Sequence, residues 1–170
     1  KPLEENIKGT LKVVERAYPE GVTVEAELGR LVGEEGSVSA KGPEAAQTDP
    51  DEAKRFVEAT GVDCLAVAIG TQHGQYKFKP KLNIERLKKI RKVVSIPLVL
   101  HGGSGTPMNQ VQDAICNGIN KVNICTDIVI SMANQYAETP KANNFKFTTA
   151  NFFTPSNIAA ANLIEKKMKA

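Results

Sequence analysis

The side chains best suited to chemistry in this sequence belong to two histidines, each followed directly by glycine. His73 stands in GTQHGQYK and His101 in HGGSG, and each follows an apolar run, ending at Ile69 and Leu100 respectively. Neutral imidazole is the commonest metal ligand in proteins, and glycine lets a ligand approach closely. Either histidine alone would more often be a capping or core residue, but the pair favours a metal site.

The HGGSG and NICT segments have the composition of an anion site. Successive backbone N–H groups in a glycine turn before a helix form an anion-binding concavity, although a glycine turn can also be no more than a turn. Asn123 and Thr126 add side-chain donors, so the predicted guest is a phosphate. Lys77, four residues after His73, either reaches the same anion or is an exposed lysine.

Four glutamates are candidate acid–base or metal-binding groups. Glu25 and Glu27 alternate with apolar residues in VTVEAEL and so share one face of a predicted strand. A carboxylate that points into a parallel α/β core must be paired or metal-bound, so the two glutamates have either a functional or a structural role. Glu34 and Glu35 lie in a glycine-rich segment. They are either a solvated pair or, on a loop that closes over substrate, a source of a general base.

The elements that must position these residues alternate between helix and strand. Helices are predicted over Glu4–Ala17, Pro50–Ala59, Asn83–Val93, Met108–Asn117, Asp127–Tyr136 and Ser156–Lys169. Strands are predicted over Val22–Leu28, Cys64–Ile69, Pro97–Leu100 and Lys121–Ile124. Strands joined by helices run parallel, which gives an α/β fold, either a doubly wound sheet or a barrel. Thr48 or Asp49 is predicted to cap the second helix, and residues 143–155 remain unassigned.

Composition excludes several function classes. The 170 residues carry 22 Lys+Arg against 19 Asp+Glu, with the two signs interspersed, so nucleic acid is not an expected partner. The sequence has no apolar run long enough to span a bilayer, and KPLEENIK lacks the features of a secretory signal, so we expect no membrane association and a cytoplasmic protein. Three cysteines without CxxC spacing predict reduced, mostly buried thiols.

Four segments together resemble the class II, zinc-dependent fructose- and tagatose-bisphosphate aldolases: VEAELGRLVGEEG, TDPDEAKRFVEATGVDCLAVAIGTQHGQYK, PLVLHGGSG and NGINKVNICTDI. The resemblance spans about residues 1–127. It implies a TIM (β/α)8 barrel of which this chain represents the second half, strands five to eight, since a whole barrel takes about 250 residues. On this interpretation residues 1–170 form one half-barrel domain with a flexible active-site loop near residues 29–50.

The resemblance also implies residue roles. His73 and His101 match two of the three histidine ligands of the catalytic Zn2+, and Glu27 matches a carboxylate of an alternative metal position. Glu35 matches the loop glutamate that removes a proton from dihydroxyacetone phosphate. The residues that match the region binding the donor phosphate and a monovalent cation (Na+ or K+) are Gly74, Lys77, Gly102, Gly103, Ser104, Asn123, Ile124, Cys125 and Thr126.

Two departures from the family pattern limit what this chain can do alone. The third zinc histidine and the aspartate beside it belong to the first half of the barrel, and no arginine follows Arg91 to hold an acceptor phosphate. We therefore expect the full-length protein to be a homo-oligomer that cleaves fructose or tagatose 1,6-bisphosphate. We expect the isolated chain to be inactive, and either to self-associate or to recover the missing half from a second fragment. The alternative is a non-catalytic half-barrel that binds phosphate or serves only in assembly.

Overall fold

The structure is a computed structural model that describes residues 1–29, 47–72, 80–142, 144, 146 and 148–169. Its chain divides into two compact units, Lys1–Asn123 and Ile124–Ala170. The first unit contains helices α1 (Leu3–Ala17), α2 (Pro50–Thr60), α3 (Ile84–Val93) and α4 (Met108–Cys116), and strands β1 (Glu25–Leu28), β2 (Cys64–Val67), β3 (Leu98–Leu100) and β4 (Ile119–Val122). The second unit contains α5 (Thr126–Ala142) and α6 (Thr149–Met168). The predicted α/β alternation is confirmed.

The described strands form one parallel sheet in the order β1-β2-β3-β4. Its register aligns Glu27 with Ala66, Ala66 with Val99, and Val99 with Lys121, so these four residues form a row across one face. Because side chains alternate along a strand, Glu25 lies on the same face as Glu27. This polar face of the sheet therefore carries charged side chains from both edge strands.

The opposite face of the sheet packs on the helices and forms the core. Leu65, Leu98 and Leu100 point from the strands to fully buried helix residues, among them Phe56 and Ile90. Apolar residues on both sides of this layer exclude water, and removing that surface from water is the main stabilising contribution to such a layer. The helices of the first unit thus pack on one face of the sheet, and the charged side chains of Glu25, Glu27 and Lys121 lie on the other face.

Local capping signals set the helix ends. Asp49, one of the two predicted caps, accepts hydrogen bonds from the amides of Asp51 and Glu52, and Gly61 ends α2 with a φ of 66°. Thr48 is not the cap, since it is buried and bonds β1 and the end of β2 instead. A capping box between Thr148 and Asn151 starts α6 within the segment that the sequence left unassigned.

Other differences concern strand ends and thiols. β1 begins at Glu25, not Val22, and β4 is shifted toward its N-terminus to start at Ile119, directly after Gly118. The three cysteines, all in the described part, form no disulfide, but Cys116 and Cys125 are exposed, so the prediction of mostly buried thiols was wrong. Cys116 lies in the last turn of α4, whose buried positions are Val111 and Ala114, so it faces outward.

The second unit is a pair of helices. Tyr136 on α5 contacts Phe152 and Phe153 on α6, with ring centroids 5.6 and 5.9 Å away. At the other end of the pair, Lys167 forms an ion pair of 2.6 Å with Asp127. Within the described ranges, no helix combines the length and the apolar character that crossing a membrane requires.

Candidate functional site

His101 occupies the carboxyl end of β3, where the sequence analysis expected it. It follows Leu100, the last residue of the strand, and the amide of Asn123 donates to the Leu100 carbonyl at 2.9 Å. This bond continues the pairing of β3 with β4 past the end of the strand. The imidazole therefore extends from a hydrogen-bonded part of the sheet, and the His101 side chain is only 19% exposed.

Two carboxylates from β1 face the two ring nitrogens of His101. Glu25 Oε1 lies 3.0 Å from Nε2, and Glu27 Oε2 lies 3.5 Å from Nδ1. The spacing of two residues along β1 puts both carboxylates on the same face, and the sheet register brings that face to β3. A single imidazole thus meets both glutamates, which the sequence analysis had placed together without identifying their partner.

Lys121 on β4 completes the cluster. Its Nζ donates to Glu25 Oε2 at 2.9 Å, and the Cys64 thiol lies 3.5 Å from the same oxygen. The sequence analysis did not single out Lys121. Its signal was available: Lys121 and Asn123 stand two residues apart in KVNI, so strand alternation puts the lysine on the same face as a predicted site residue.

The electrostatics follow from these contacts. Partial burial acts to raise the pKa of Glu25, but the hydrogen bonds from Lys121 and His101 outweigh it and leave that pKa below its ordinary value. The hydrogen bond with Glu27, joined by that with Glu25, raises the pKa of His101 against the opposing effect of burial. Glu25 likewise raises the pKa of Lys121. The cluster therefore stabilises the charged form of Glu25 beside the imidazole.

The donor chemistry of this cluster fits zinc, but the described residues do not complete a site. Imidazole and carboxylate are both zinc ligands, and a catalytic zinc ordinarily has three protein ligands. In the described part of the chain, no group of three or more His, Cys, Asp and Glu residues is arranged to hold a metal ion. His73, the other predicted ligand, lies outside the described residues.

The turn after His101 brings the backbone that follows β3 into close contact with the backbone that follows β2. Gly102 has a φ of 68°, and a Cβ at this position would lie 2.3 Å from the Gln72 carbonyl oxygen. Only glycine combines that backbone conformation with that approach. Gln72 immediately precedes His73, so the turn fixes the backbone at the start of the segment that carries the second predicted ligand.

The predicted phosphate-binding turn is closed by its own hydrogen bonds. The amide of Gly103 donates to the Asn123 carbonyl at 2.9 Å, and the amide of Thr106 donates to the Gly103 carbonyl at 3.3 Å. Ser104 is buried in the same turn. Asn123 therefore lies beside Gly103, as the sequence analysis expected of the NICT segment, but the Gly103 amide is directed to a carbonyl group and not outward.

The remaining predicted residues fall in two groups. Ile124, Cys125 and Thr126 belong to the second unit, where the Cys125 carbonyl accepts the amides of Ile128 and Val129 at the start of α5. Glu34, Glu35, His73, Gly74 and Lys77 lie outside the described residues. Their predicted roles stay predictions.

One buried polar group near the site was not anticipated. The hydroxyl of Thr71, two residues before His73, has no hydrogen-bond partner in the part of the chain that the structure describes, although the residue is only 3% exposed. A buried hydroxyl without a partner costs free energy. Nothing in the local sequence pattern distinguishes this threonine from an ordinary strand-end residue.

Comparison with known proteins identifies the relatives of this chain. The model of the family described as "Fructose-bisphosphate aldolase class-II" matches residues 1–170. Two fructose-bisphosphate aldolases of Helicobacter pylori, from strains J99 and 26695, are 40% and 39% identical over 189 residues. The alignment covers 98% of this chain and 62% of each relative, so the chain spans about three-fifths of their length.

Solved structures agree with this similarity. The YdjI aldolase from Escherichia coli K12 is 38% identical with a TM-score of 0.81, over 99% of this chain and 56% of that one. A fructose-bisphosphate aldolase from Campylobacter jejuni has a TM-score of 0.76 at 23% identity, over 98% of this chain and 55% of that one. The second comparison supports the fold alone.

Proposed function

The chain belongs to the class II fructose-bisphosphate aldolase family, and from this premise we propose that the full-length protein cleaves a ketose 1,6-bisphosphate. The products are dihydroxyacetone phosphate and glyceraldehyde 3-phosphate, and the substrate is fructose or tagatose bisphosphate. The observation that carries the proposal is the position of His101 at a strand end, between two carboxylates and beside the Gly102 turn.

The proposed architecture is a TIM (β/α)8 barrel to which this chain contributes the second half. Four parallel strands in sequential order support it, as does the coverage of 56% of the YdjI aldolase chain. In such a barrel the polar face of the sheet faces the interior, and the carboxyl ends of the strands form the active site. Residues 1–170 then act as one part of a larger domain.

Zn2+ is the proposed cofactor, held by His73 and His101 with Glu27 as a nearby carboxylate, and one further histidine comes from the remainder of the protein. When bound, the metal polarises the ketone of the substrate. Glu35 moves the proton: in condensation it removes the proton from the hydroxymethyl carbon of dihydroxyacetone phosphate, and in cleavage it returns that proton. General-base catalysis of this kind suits a carboxylate on a loop.

The donor phosphate is proposed to bind at the strand ends, with a monovalent cation nearby. Gly102, Gly103 and Ser104 form the turn after β3, in which the Gly103 amide is itself bonded to the Asn123 carbonyl, and Asn123 contributes its side chain from just after β4. The other residues proposed for this subsite are Gly74, Lys77, Ile124, Cys125 and Thr126. Backbone amides and small polar side chains bind phosphate without adding bulk near the reacting carbon.

Zinc analysis and an aldol cleavage assay on the full-length protein test the proposal. We expect stoichiometric zinc, cleavage of a ketose bisphosphate, loss of activity with a chelator and recovery with Zn2+. Replacing His73 and His101 together by alanine should abolish zinc binding, because too few ligands remain for a tight site. Stoichiometric zinc in that double variant would contradict the metal assignment. Absence of cleavage by the zinc-loaded full-length protein would favour the non-catalytic alternative.

A further inference from the structure

Three side chains connect three strands across the polar face of the sheet. Lys121 on β4 donates to one oxygen of Glu25 on β1, and the other oxygen of Glu25 meets Nε2 of His101 after β3. The two contacts measure 2.9 and 3.0 Å. Lys121 and Glu25 are separated by 96 residues and by two intervening strands, so the arrangement depends on the register of the whole sheet.

A histidine binds a metal through one ring nitrogen, and the other ring nitrogen almost always donates its N–H to a hydrogen-bond acceptor. The hydrogen bond made by the second nitrogen determines which nitrogen keeps the proton and how the ring is oriented. Carboxylates commonly accept that second N–H beside metal sites. His101 has a carboxylate at each nitrogen, so the question is which one orients the ring and which one faces the metal.

The two carboxylates differ in how firmly they are held. Glu25 contacts His101 at 3.0 Å, Lys121 at 2.9 Å and the Cys64 thiol at 3.5 Å, and its side chain is 26% exposed. Glu27 lies farther from its ring nitrogen, at 3.5 Å, and is 38% exposed. Lys121 and Cys64 both bond Oε2 of Glu25, and this fixes the carboxylate whose other oxygen, Oε1, meets His101. Glu25 is therefore the better anchor for a ring N–H.

We propose that Glu25, fixed by Lys121, is a positioning residue that accepts a hydrogen bond from the Nε2–H of His101 and so directs Nδ1 toward Glu27 and the proposed metal. The inference rests on the proposed function, because it concerns the orientation of a zinc ligand. It assigns Lys121, which the sequence analysis did not single out and which is not a predicted ligand, to the support of that ligand.

Nuclear magnetic resonance tests which nitrogen binds the metal. The full-length protein is labelled with 15N in histidine and loaded with Zn2+, and long-range 1H–15N correlations report each ring, with His101 assigned from the signals lost in His101→Gln. We expect a coordinated Nδ1 and a protonated Nε2. Coordination through Nε2 would overturn the proposal.

Zinc affinity tests the two positioning residues. Measured by competition with a chelator, the dissociation constant for Zn2+ should rise by about 10- to 100-fold in Glu25→Gln, the range typical of groups that support a metal ligand. Lys121→Gln should raise it in the same direction by a smaller factor, and Lys121→Arg, which keeps a cation within reach of Glu25, should restore it. The matched control is Lys88→Gln, which removes a lysine from the exposed pair of Lys88 with Glu85, at 2.8 Å.

The outcomes separate this inference from the proposed function. If the wild-type protein binds no zinc, the proposed function fails and the positioning role fails with it. If the wild type binds zinc and cleaves substrate, but Lys121→Gln and Lys88→Gln have the same zinc affinity, only the positioning role fails. Thermal unfolding of the zinc-free variants is measured in parallel. A loss of affinity that follows a loss of zinc-free stability, with no recovery in Lys121→Arg, would also overturn the positioning role.

Discussion

Two structural features surround the imidazole of His101, and substitutions in each should change a different property of the protein. Its neighbours on one side are the carboxylates of β1, and on the other side the chain turns at once through Gly102. The first group affects the chemistry of the ring, and the turn affects where the ring stands. We therefore expect substitutions of the β1 carboxylates to change the affinity for the metal, and substitutions in the Gly102 turn to change the stability of the fold.

Gly102→Ala should destabilise the full-length protein more than Gly61→Ala does. Both glycines have a left-handed φ, 68° and 66°, which costs a non-glycine residue about 1–2 kcal/mol. A Cβ at Gly61 meets nothing within 4 Å, whereas one at Gly102 lies 2.3 Å from the Gln72 carbonyl oxygen and adds about 1–3 kcal/mol of steric cost. Urea unfolding measures both free energies. Equal losses in the two variants would contradict the close approach at Gly102.

Glu35→Ala should lower turnover by about 10²-fold or more while the affinity for the donor substrate stays close to that of the wild type. A general base accepts the proton in the transition state, and it need not contribute to the binding of the substrate in the ground state. Steady-state kinetics and proton exchange at the donor carbon of dihydroxyacetone phosphate measure the two effects. Glu34→Ala is the neighbouring control. An unchanged exchange rate in Glu35→Ala would exclude Glu35 as the base.

At the scale of elements, Thr48 links the carboxyl ends of two strands. Its hydroxyl donates to the Leu28 carbonyl, at the end of β1, and accepts the Ala68 amide, just after β2, at 2.5 and 2.8 Å. Its own amide also donates to the Ala68 carbonyl at 2.9 Å. Thr48 thus connects β1 and β2 just beyond their last pair, Leu28 with Val67. This connection lies at the carboxyl ends of the strands, where the candidate site is.

Thr48→Val should destabilise the full-length protein by about 2 kcal/mol, because an isosteric methyl group leaves a buried carbonyl and a buried amide without this partner. Thr60→Val is the matched control. The Thr60 hydroxyl is also buried and donates to the Phe56 carbonyl at 2.7 Å, but that carbonyl keeps its bond within α2, so the loss should stay below about 1 kcal/mol. Chemical denaturation measures the free energy of unfolding of both variants. Equal losses of that free energy in Thr48→Val and Thr60→Val would contradict the strand link.

For the whole molecule, the isolated chain Lys1–Ala170 should not be a stable monomer. β1 and β4 are the edges of the described sheet, and its polar face leaves the Glu27 and Lys121 side chains 38% and 55% exposed. Edge strands pair readily with other chains, so we expect self-association, weak phosphate binding at most, and no aldol cleavage. Light scattering, zinc analysis and the cleavage assay measure these points. A monomer with full activity would refute the half-barrel interpretation.

Local patterns in the sequence determined the elements of this protein and their order. The side chains of Asp49 and Asn83 cap their helices by accepting hydrogen bonds from backbone amides two or three residues later in the chain. Gly61 ends a helix through its own left-handed φ, so each of these signals acts within one helical turn. Strand alternation likewise put Glu25 and Glu27 on one face. The strand ends were less certain because pairing with a neighbouring strand, and not local propensity, decides where a strand begins.

The tertiary structure alone decided what those residues touch. Glu25 meets His101 and Lys121 only because the register across four strands aligns Glu27, Ala66, Val99 and Lys121 in one row. No local pattern encodes a contact between residues 96 positions apart. The packing of the helices on the other face selects that register, since a slip of one residue would move the charged side chains into the core.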